Sequence, residues 1–199
     1  MYFTKPETWF GGYYELAIEV GGRSGERLLS ALKAVWSHPA LEGCYLDRDK
    51  EPHEQRRVSV PPALAEPTHL QGLALLPNGQ KVACGTCLIR EEDGPDWLDF
   101  YMPMGTLGDV YEVGGYPFDM TSATHREWQT PVDEWLKGIG EWVFSSVPFS
   151  LGLIGFEVSG DAYAAQVSKE GVPAERYFGY LVPEGRKLKW YPPNVRLTP

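Results

Sequence analysis

Five carboxylates fall within nine residues: Glu91, Glu92, Asp93, Asp96 and Asp99, with no basic residue among them. Trp97 and Tyr101 are interleaved with this run. A charge run of this kind is ordinarily a solvated hairpin tip. Presented on one surface, acids and rings also hold a basic or hydroxylated partner. Crowded like charges repel one another, and a cationic partner relieves that repulsion. Glu91, Glu92, Asp93, Asp96, Trp97, Asp99 and Tyr101 are therefore the first candidate binding set.

Glu15, Glu19 and Glu157 make a second acidic set, on segments that read as neighbouring strands. Paired carboxylates do acid–base work when their surroundings push their pKa values apart. That requires a pocket, and exposed strand positions are the simpler expectation for all three.

Gly21-Gly22-Arg23-Ser24-Gly25 joins a strand to a helix. Backbone N–H groups at such a start can hold an anion, which makes Gly22, Arg23 and Ser24 a weak anion-binding candidate. The Lys-Ser/Thr of a phosphate loop and the third spaced glycine of a dinucleotide fingerprint are both missing.

Cys84-Gly85-Thr86-Cys87 has the spacing of a redox or zinc pair. It lies inside a predicted strand, however, where positions three apart point to opposite faces. A structural zinc also needs a second ligand pair, and Cys44, His38, His53 and His69 are scattered. The two thiols read as small core residues, and neither a metal nor a cofactor is expected. Three cysteines do not make a disulfide framework. Ser24 is not in a nucleophile elbow, because Glu26 stands where a glycine is needed. His53 and His69 flank proline-rich stretches and read as exposed. His125 falls in a polar run ahead of the second helix. No zinc-protease, calcium-loop or kinase pattern is present.

The elements that must position these residues follow from periodicity and punctuation. Tyr13 to Val20 alternates as a half-buried strand, with Tyr14, Leu16, Ile18 and Val20 inward and Glu15 and Glu19 outward. Ser24 caps a helix to about Ser37, whose stripe is Leu28, Leu29, Leu32, Val35 and Trp36. A short strand spans Gly43 to Asp47. Residues 47–69 are rich in charge and proline and read as flexible, with a short strand at Arg57 to Val60. Residues 70–102 form a three-stranded antiparallel meander, turned at Asn78-Gly79 and at Asp93-Gly94-Pro95. One helical turn falls near Leu107 to Tyr111.

The second helix spans 131–147. Thr130 is its cap, Pro131 its first residue, and Asp133 and Glu134 occupy its first turn. Its apolar face is Val132, Trp135, Leu136, Ile139, Trp142, Val143 and Val147. A central strand follows at Leu151 to Val158. Asp161 caps a short helix ending near Gly171, and Arg176 to Val182 with Lys187 to Tyr191 closes the chain as a hairpin. Segments 18–46 and 156–181 echo each other as strand–helix–strand. The aromatic clusters at Trp9 to Tyr14 and Trp190 to Tyr191 either pin the chain ends or form a sticky surface.

The reading is one α+β domain over residues 1–199, a mainly antiparallel sheet packed against two amphipathic helices. The 199 residues are 43% hydrophobic, which excludes a disordered chain. The formal net charge of −9 argues against nucleic acid or an anionic membrane as partner. Over half of that charge is the run from Glu91 to Asp99. The chain start has no basic segment followed by an apolar run, and no stretch is apolar enough to span a bilayer, so a soluble cytoplasmic protein is expected.

No catalytic motif is complete. The leading expectation is a non-catalytic binding protein, of the inhibitor or immunity type, that masks the basic surface of a partner protein. It should present Asp96, Trp97 and Asp99 on a flat or convex surface. The alternative is a small enzyme or ligand carrier using Glu15, Glu19 or Glu157 in an aromatic-lined pocket. A third is a subunit that self-associates through its terminal aromatics; the sequence leaves the oligomeric state open.

Overall fold

The strand β1 (Tyr13–Gly21) is buried along nearly its whole length, so the chain covers it on both faces. The computed structural model describes residues 3–60, 69–113 and 123–195, with the backbone alone for 123–126. After β1 come α1 (Gly25–Trp36), β2 (Leu41–Tyr45), β3 (Leu70–Leu75), β4 (Lys81–Arg90) and β5 (Asp96–Pro103). Then follow α2 (Met104–Gly108), α3 (Ala123–Ser146), β6 (Leu151–Phe156), α4 (Ala164–Glu170), β7 (Gly179–Glu184) and β8 (Lys187–Tyr191).

The eight strands form one sheet in the order β2-β3-β4-β5-β1-β6-β7-β8, and every neighbouring pair is antiparallel. This is an α+β architecture. The meander is present as β3, β4 and β5, with Gly79 at a positive φ of 81° in its first turn, a conformation glycine adopts without strain.

The helices α1 and α3 touch each other and cover one face of the sheet. That face is mainly apolar. Leu16, Ile18 and Val20 of β1 and Leu98, Phe100 and Met102 of β5 meet Leu28, Leu32, Val35, Val132, Leu136, Ile139 and Val143 of the helices. The segment after β6, including α4, covers part of the opposite face with a smaller core of Ala17, Trp97, Leu151, Leu153, Val158, Ala162, Val167 and Tyr180.

Several local expectations are corrected. The second helix begins at Ala123, so Pro131 lies inside it and His125 is on it. Pro131 has no N–H for the carbonyl four residues back. The fully buried stripe of Val132, Leu136, Ile139 and Val143 holds the helix together across that gap. Asp133 is therefore mid-helix and buried, where the Tyr14 hydroxyl donates to its Oδ1 at 2.5 Å. Burial lifts its carboxyl to about 7, although the Tyr14 hydrogen bond works the other way.

Trp142 is 41% exposed, and its indole N–H donates to the Ala34 carbonyl and Ser37 Oγ, satisfying the end of α1. Arg57 to Val60 makes no ladder; it is joined to β2 by a hydrogen bond from Val58 N–H to the Cys44 carbonyl. The single turn is at Met104–Gly108. Tyr163, not Asp161, precedes α4 as its cap residue.

The two echoing segments also differ. The helix α1 lies on one face and leads to β2 at the far edge, whereas α4 lies on the other and leads to β7 beside β6. In the charged segment, Glu51 accepts from the N–H groups of Phe3 and Thr4, and Gln55 Nε2 donates to the carbonyls of Asp47 and Lys50. Pro61, Pro62 and Pro67 lie outside the described residues. Of the terminal aromatics, Trp9 and Trp190 are tied down, and Phe10 is exposed. Trp9 donates to the Phe3 carbonyl at 2.7 Å, and Trp190 to Glu134 Oε1 at 2.9 Å.

Candidate functional site

The pleat that sends Leu16 and Ile18 toward the helices sends Tyr13, Glu15, Ala17 and Glu19 to the opposite face. The register sets their neighbours. Glu15 lies opposite Tyr101, Ala17 opposite Asp99, and Glu19 opposite Trp97. On the next strands, Cys87 lies opposite Asp99, Gly85 opposite Tyr101, and Gln71 opposite Gly85. The absence of a side chain at Gly85 matters, because a Cβ there would stand 2.5 Å from the Tyr101 ring. The ring can settle over the strand only at a glycine.

This face carries acids from both candidate sets, and it buries Glu15, Glu19 and Asp99. Glu15 is 5% exposed and Asp99 4%. Ser159 joins the two: its N–H donates to Glu15 Oε1 at 3.0 Å, and its hydroxyl lies 3.0 and 3.1 Å from the two Asp99 oxygens. The turn that brings Ser159 over the sheet contains Glu157 at a φ of 47°. Burial raises the carboxyls of Glu15 and Asp99 well above the ordinary range, and their mutual repulsion adds to the rise at Glu15. The pair therefore retains a proton into neutral pH.

Glu19 Oε2 accepts the Ala164 N–H at 2.6 Å, satisfying an orphan donor at the start of α4. Glu91 Oε1 accepts from the Trp97 indole at 3.0 Å and the Tyr163 hydroxyl at 3.1 Å. These acids seat the segment around α4 on the sheet.

The expectation that Asp96, Trp97, Asp99 and Tyr101 are presented on a surface is not met, because all four are buried. Alternation within β5 divides them. Asp96 faces the helices, and Trp97, Asp99 and Tyr101 face the other way. Only Glu92 and Asp93 of the acidic run are fully exposed, at the hairpin tip. Glu15 and Glu19 are likewise buried rather than exposed, because β1 is covered on both sides; Glu157 is exposed.

The anion-binding candidate is filled from within the chain. Asp96 Oδ2 accepts the Ser24 N–H at the start of α1, and Arg90 reaches both Asp96 oxygens at 3.0 and 3.2 Å. Arg23 is spent on the carbonyls of Glu91 and Glu92, and the Ser24 hydroxyl accepts from the Arg27 N–H. Gly22 is exposed.

The two cysteines of the short motif do point to opposite faces. Cys84 is in the helix-side core, and Cys87 lies 3.4 Å from His69 Nε2 on the other side. Burial and the Asp99 and Glu15 carboxylates push the Cys87 thiol up to about 11, so it is not an activated nucleophile despite its histidine neighbour. Among the described residues, no group of three or more His, Cys, Asp or Glu side chains could hold a metal ion.

Two cavities open beside this arrangement. One, of about 400 Å³, lies over the β3–β5 half and is lined by Trp9, Tyr13, Leu46, Asp47, Arg48, Asp49, His69, Gln71 and Tyr101. The other, of about 510 Å³, runs between α4 and β7. Three carboxylates line it, Asp161, Glu170 and Glu175, beside the stacked rings of Phe178 and Tyr180, whose centroids are 5.0 Å apart. Arg176 also lines it, but its guanidinium is occupied by the carbonyls of Pro173, Ala174 and Pro192. Sequence reasoning missed both cavities and also Ser159. The one legible signal was Tyr177-Phe178-Gly179-Tyr180 with acids upstream, a pattern spread too widely to register as a run.

The class of protein so defined is an antiparallel α+β sheet with one helix-covered face and one acid-bearing, partly open face. Comparison with protein-family models, curated proteins and solved structures finds no match. No helix among the described residues is long and apolar enough to cross a membrane.

Proposed function

We propose that this protein binds and masks a basic surface of a partner protein, as an inhibitor or immunity-type protein would. The observation that carries the reading is the groove between α4 and β7. It joins three carboxylates to stacked aromatic rings, and among the described residues the one cation in its lining is committed to backbone carbonyls. Acid beside aromatic surface suits a partner rich in Lys and Arg, because charge steers the encounter and rings supply contact area. The overall charge of −9 acts in the same direction. The docking surface thus moves from the Glu91–Tyr101 run to Asp161, Glu170, Glu175, Tyr177 and Phe178.

The test is affinity capture from the native cell, followed by calorimetry on the purified partner. Wild type should bind a basic protein with an affinity that falls steeply between low and moderate salt. The triple variant D161K/E170K/E175K should lose about a hundredfold, from three lost charge contacts and three new repulsions. An affinity indifferent to both salt and the triple substitution would sink the reading.

A second reading, an enzyme or ligand carrier built on the strand carboxylates, has one observation in its favour: the raised protonation of Glu15 and Asp99 in a buried pair. Against it, the bonds to Ser159 and Ala164 occupy Glu15, Asp99 and Glu19, and none of the three lines either cavity.

A further inference from the structure

The segment that crosses the acid-bearing face, residues 157–171, is seated on the sheet through carboxylates. Its Glu157 N–H donates to the Tyr13 carbonyl. Its other hydrogen bonds to the rest of the chain, among the described residues, end on acids: Ser159 on Glu15 and Asp99, the Ala164 N–H on Glu19, and the Tyr163 hydroxyl on Glu91. None of these four carboxylates forms an ion pair among the described residues. The titratable groups that face Glu15 and Asp99 are Tyr13 and Glu19 on β1, Tyr101 on β5, Cys87 on β4 and Glu157 at the entry to the segment. Glu19 faces Glu91 and Tyr163. None of these is a cation; His69 and Arg48 stand beyond them, against Cys87 and Tyr101. The Ser159 and Ala164 donors favour the ionised acids, but burial outweighs them at Glu15, Asp99 and Glu19 and raises all three. Lifting the segment would return these acids to water, where carboxyls ionise near pH 4.

The segment is bounded by two unusual backbone positions. Glu157 enters it at a φ of 47°, strain that a non-glycine residue carries only while the surroundings hold it, and Gly171 leaves it at a φ of 80°. Its buried apolar residues are few, Val158, Ala162 and Val167, whereas β1 and β6 are held from the other face by α3. Elements with few buried apolar contacts open before the core does. We propose that residues 157–171 form a pH-gated strap, seated on the acid-bearing face in acid and lifting from it as one piece, with the sheet still folded, as pH rises through neutrality. Lifting uncovers Trp97 and removes the wall of the groove that carries Asp161 and Glu170. That consequence rests on the masking function proposed above. It makes masking strongest below neutrality, the reverse of what the ionisation of surface acids alone would give.

The test needs no partner. Amide hydrogen exchange of the whole protein is followed by NMR from about pH 5 to about pH 8, each rate divided by its intrinsic value at that pH. The Ala164 and Val167 amides should lose protection by up to about tenfold per pH unit, one proton leaving with each opening, and then level off in alkaline solution. The amides of β1 and β6 should stay more protected at every pH. Asp99→Asn leaves the pair one acid and should cut the dependence at Ala164 to about threefold per unit or less. Should that variant fail to fold, Glu15→Gln gives the same reading. Asp133→Asn, under the helices on the other face, should leave the Ala164 profile as in wild type. Protection at Ala164 and Val167 that does not change with pH would overturn the gate. Loss in step with β1 at every pH would overturn the strap as a separate unit. Equal flattening by Asp133→Asn would place the proton on the other face and overturn the assignment to Glu15 and Asp99. A failed strap leaves the masking function standing. Failure of the groove against salt and D161K/E170K/E175K leaves the strap standing, so the two outcomes are separate.

Discussion

On the helix face of the sheet, β1 and β5 contribute Leu16, Ile18, Leu98 and Phe100; one residue along, the same strands contribute Glu15, Glu19, Trp97 and Asp99 to the other face. Both sets are buried, but they are held in different ways. The first is held by close packing against two long helices, so its stability scales with apolar area removed from water. The second is held by directional bonds from Ser159, Ala164 and Tyr163 to carboxylates that would otherwise be unpaid desolvation. The packed face holds one raised carboxyl of its own, Asp133 beside Tyr14. A face of buried acids is sensitive to protons and leaves polar cavities at its margins.

The largest expected effect lies on the packed face. Leu16→Ala should cost about 3 to 5 kcal/mol, read as a shift in the urea midpoint at constant slope, because a fully buried leucine leaves a cavity. A loss under 1 kcal/mol would mean that the helix layer repacks freely and that the contrast is overdrawn.

Next comes the pH dependence. Asp133, lifted to about 7, and the raised Glu15–Asp99 pair bind protons more tightly folded than unfolded. Folding then takes up protons between the unfolded carboxyl range, about pH 4, and neutrality. Their contribution to stability is complete below that range and is lost as pH rises through 7. Melting should therefore be higher at pH 5 than at pH 9, by a difference on the order of a few kcal/mol. Asp99→Asn should flatten the curve. A melting temperature that climbs with pH in the wild type would refute this account.

Ser159→Ala comes third. It removes the hydroxyl near Asp99 but keeps the backbone donor to Glu15, so a cost of about 1 to 3 kcal/mol is expected, rising with pH. Circular dichroism melts at two pH values would check it. Smallest of all, Glu92→Gln with Asp93→Asn at the exposed hairpin tip should stay within about 0.5 kcal/mol. A larger change in chemical denaturation would show that the tip matters to the fold, against its reading as a solvated turn.

Much of this molecule was legible in its residues. The Asn78-Gly79 turn, the alternation of β1 and β5 and the stripe of α1 each record a local rule, a turn conformation or a period, that needs no distant partner. The opposed directions of Cys84 and Cys87 follow from the same pleat. What local rules missed was the second layer. Alternation in β1 marked Glu15 and Glu19 as outward, which was right in direction and wrong in environment, because outward on a central strand is buried once another segment crosses it. A mid-helix proline made a start at residue 131 look certain, since nothing local shows that the stripe of Val132, Leu136, Ile139 and Val143 can carry a helix across the break.

The acidic run shows the division most clearly. Composition and spacing determined that the chain is acidic, that its charge is concentrated, and that acids alternate with rings along one strand. Only the tertiary structure decided which carboxylates reach water. It bound Asp96 to the start of α1, bound Asp99 to Ser159 and left Glu92 and Asp93 outside. It also folded the one segment from Asp161 to Tyr180 into an acidic, aromatic groove. The physical reason is that charge belongs to a residue, whereas solvation belongs to a place, and a place exists only once the layers have packed.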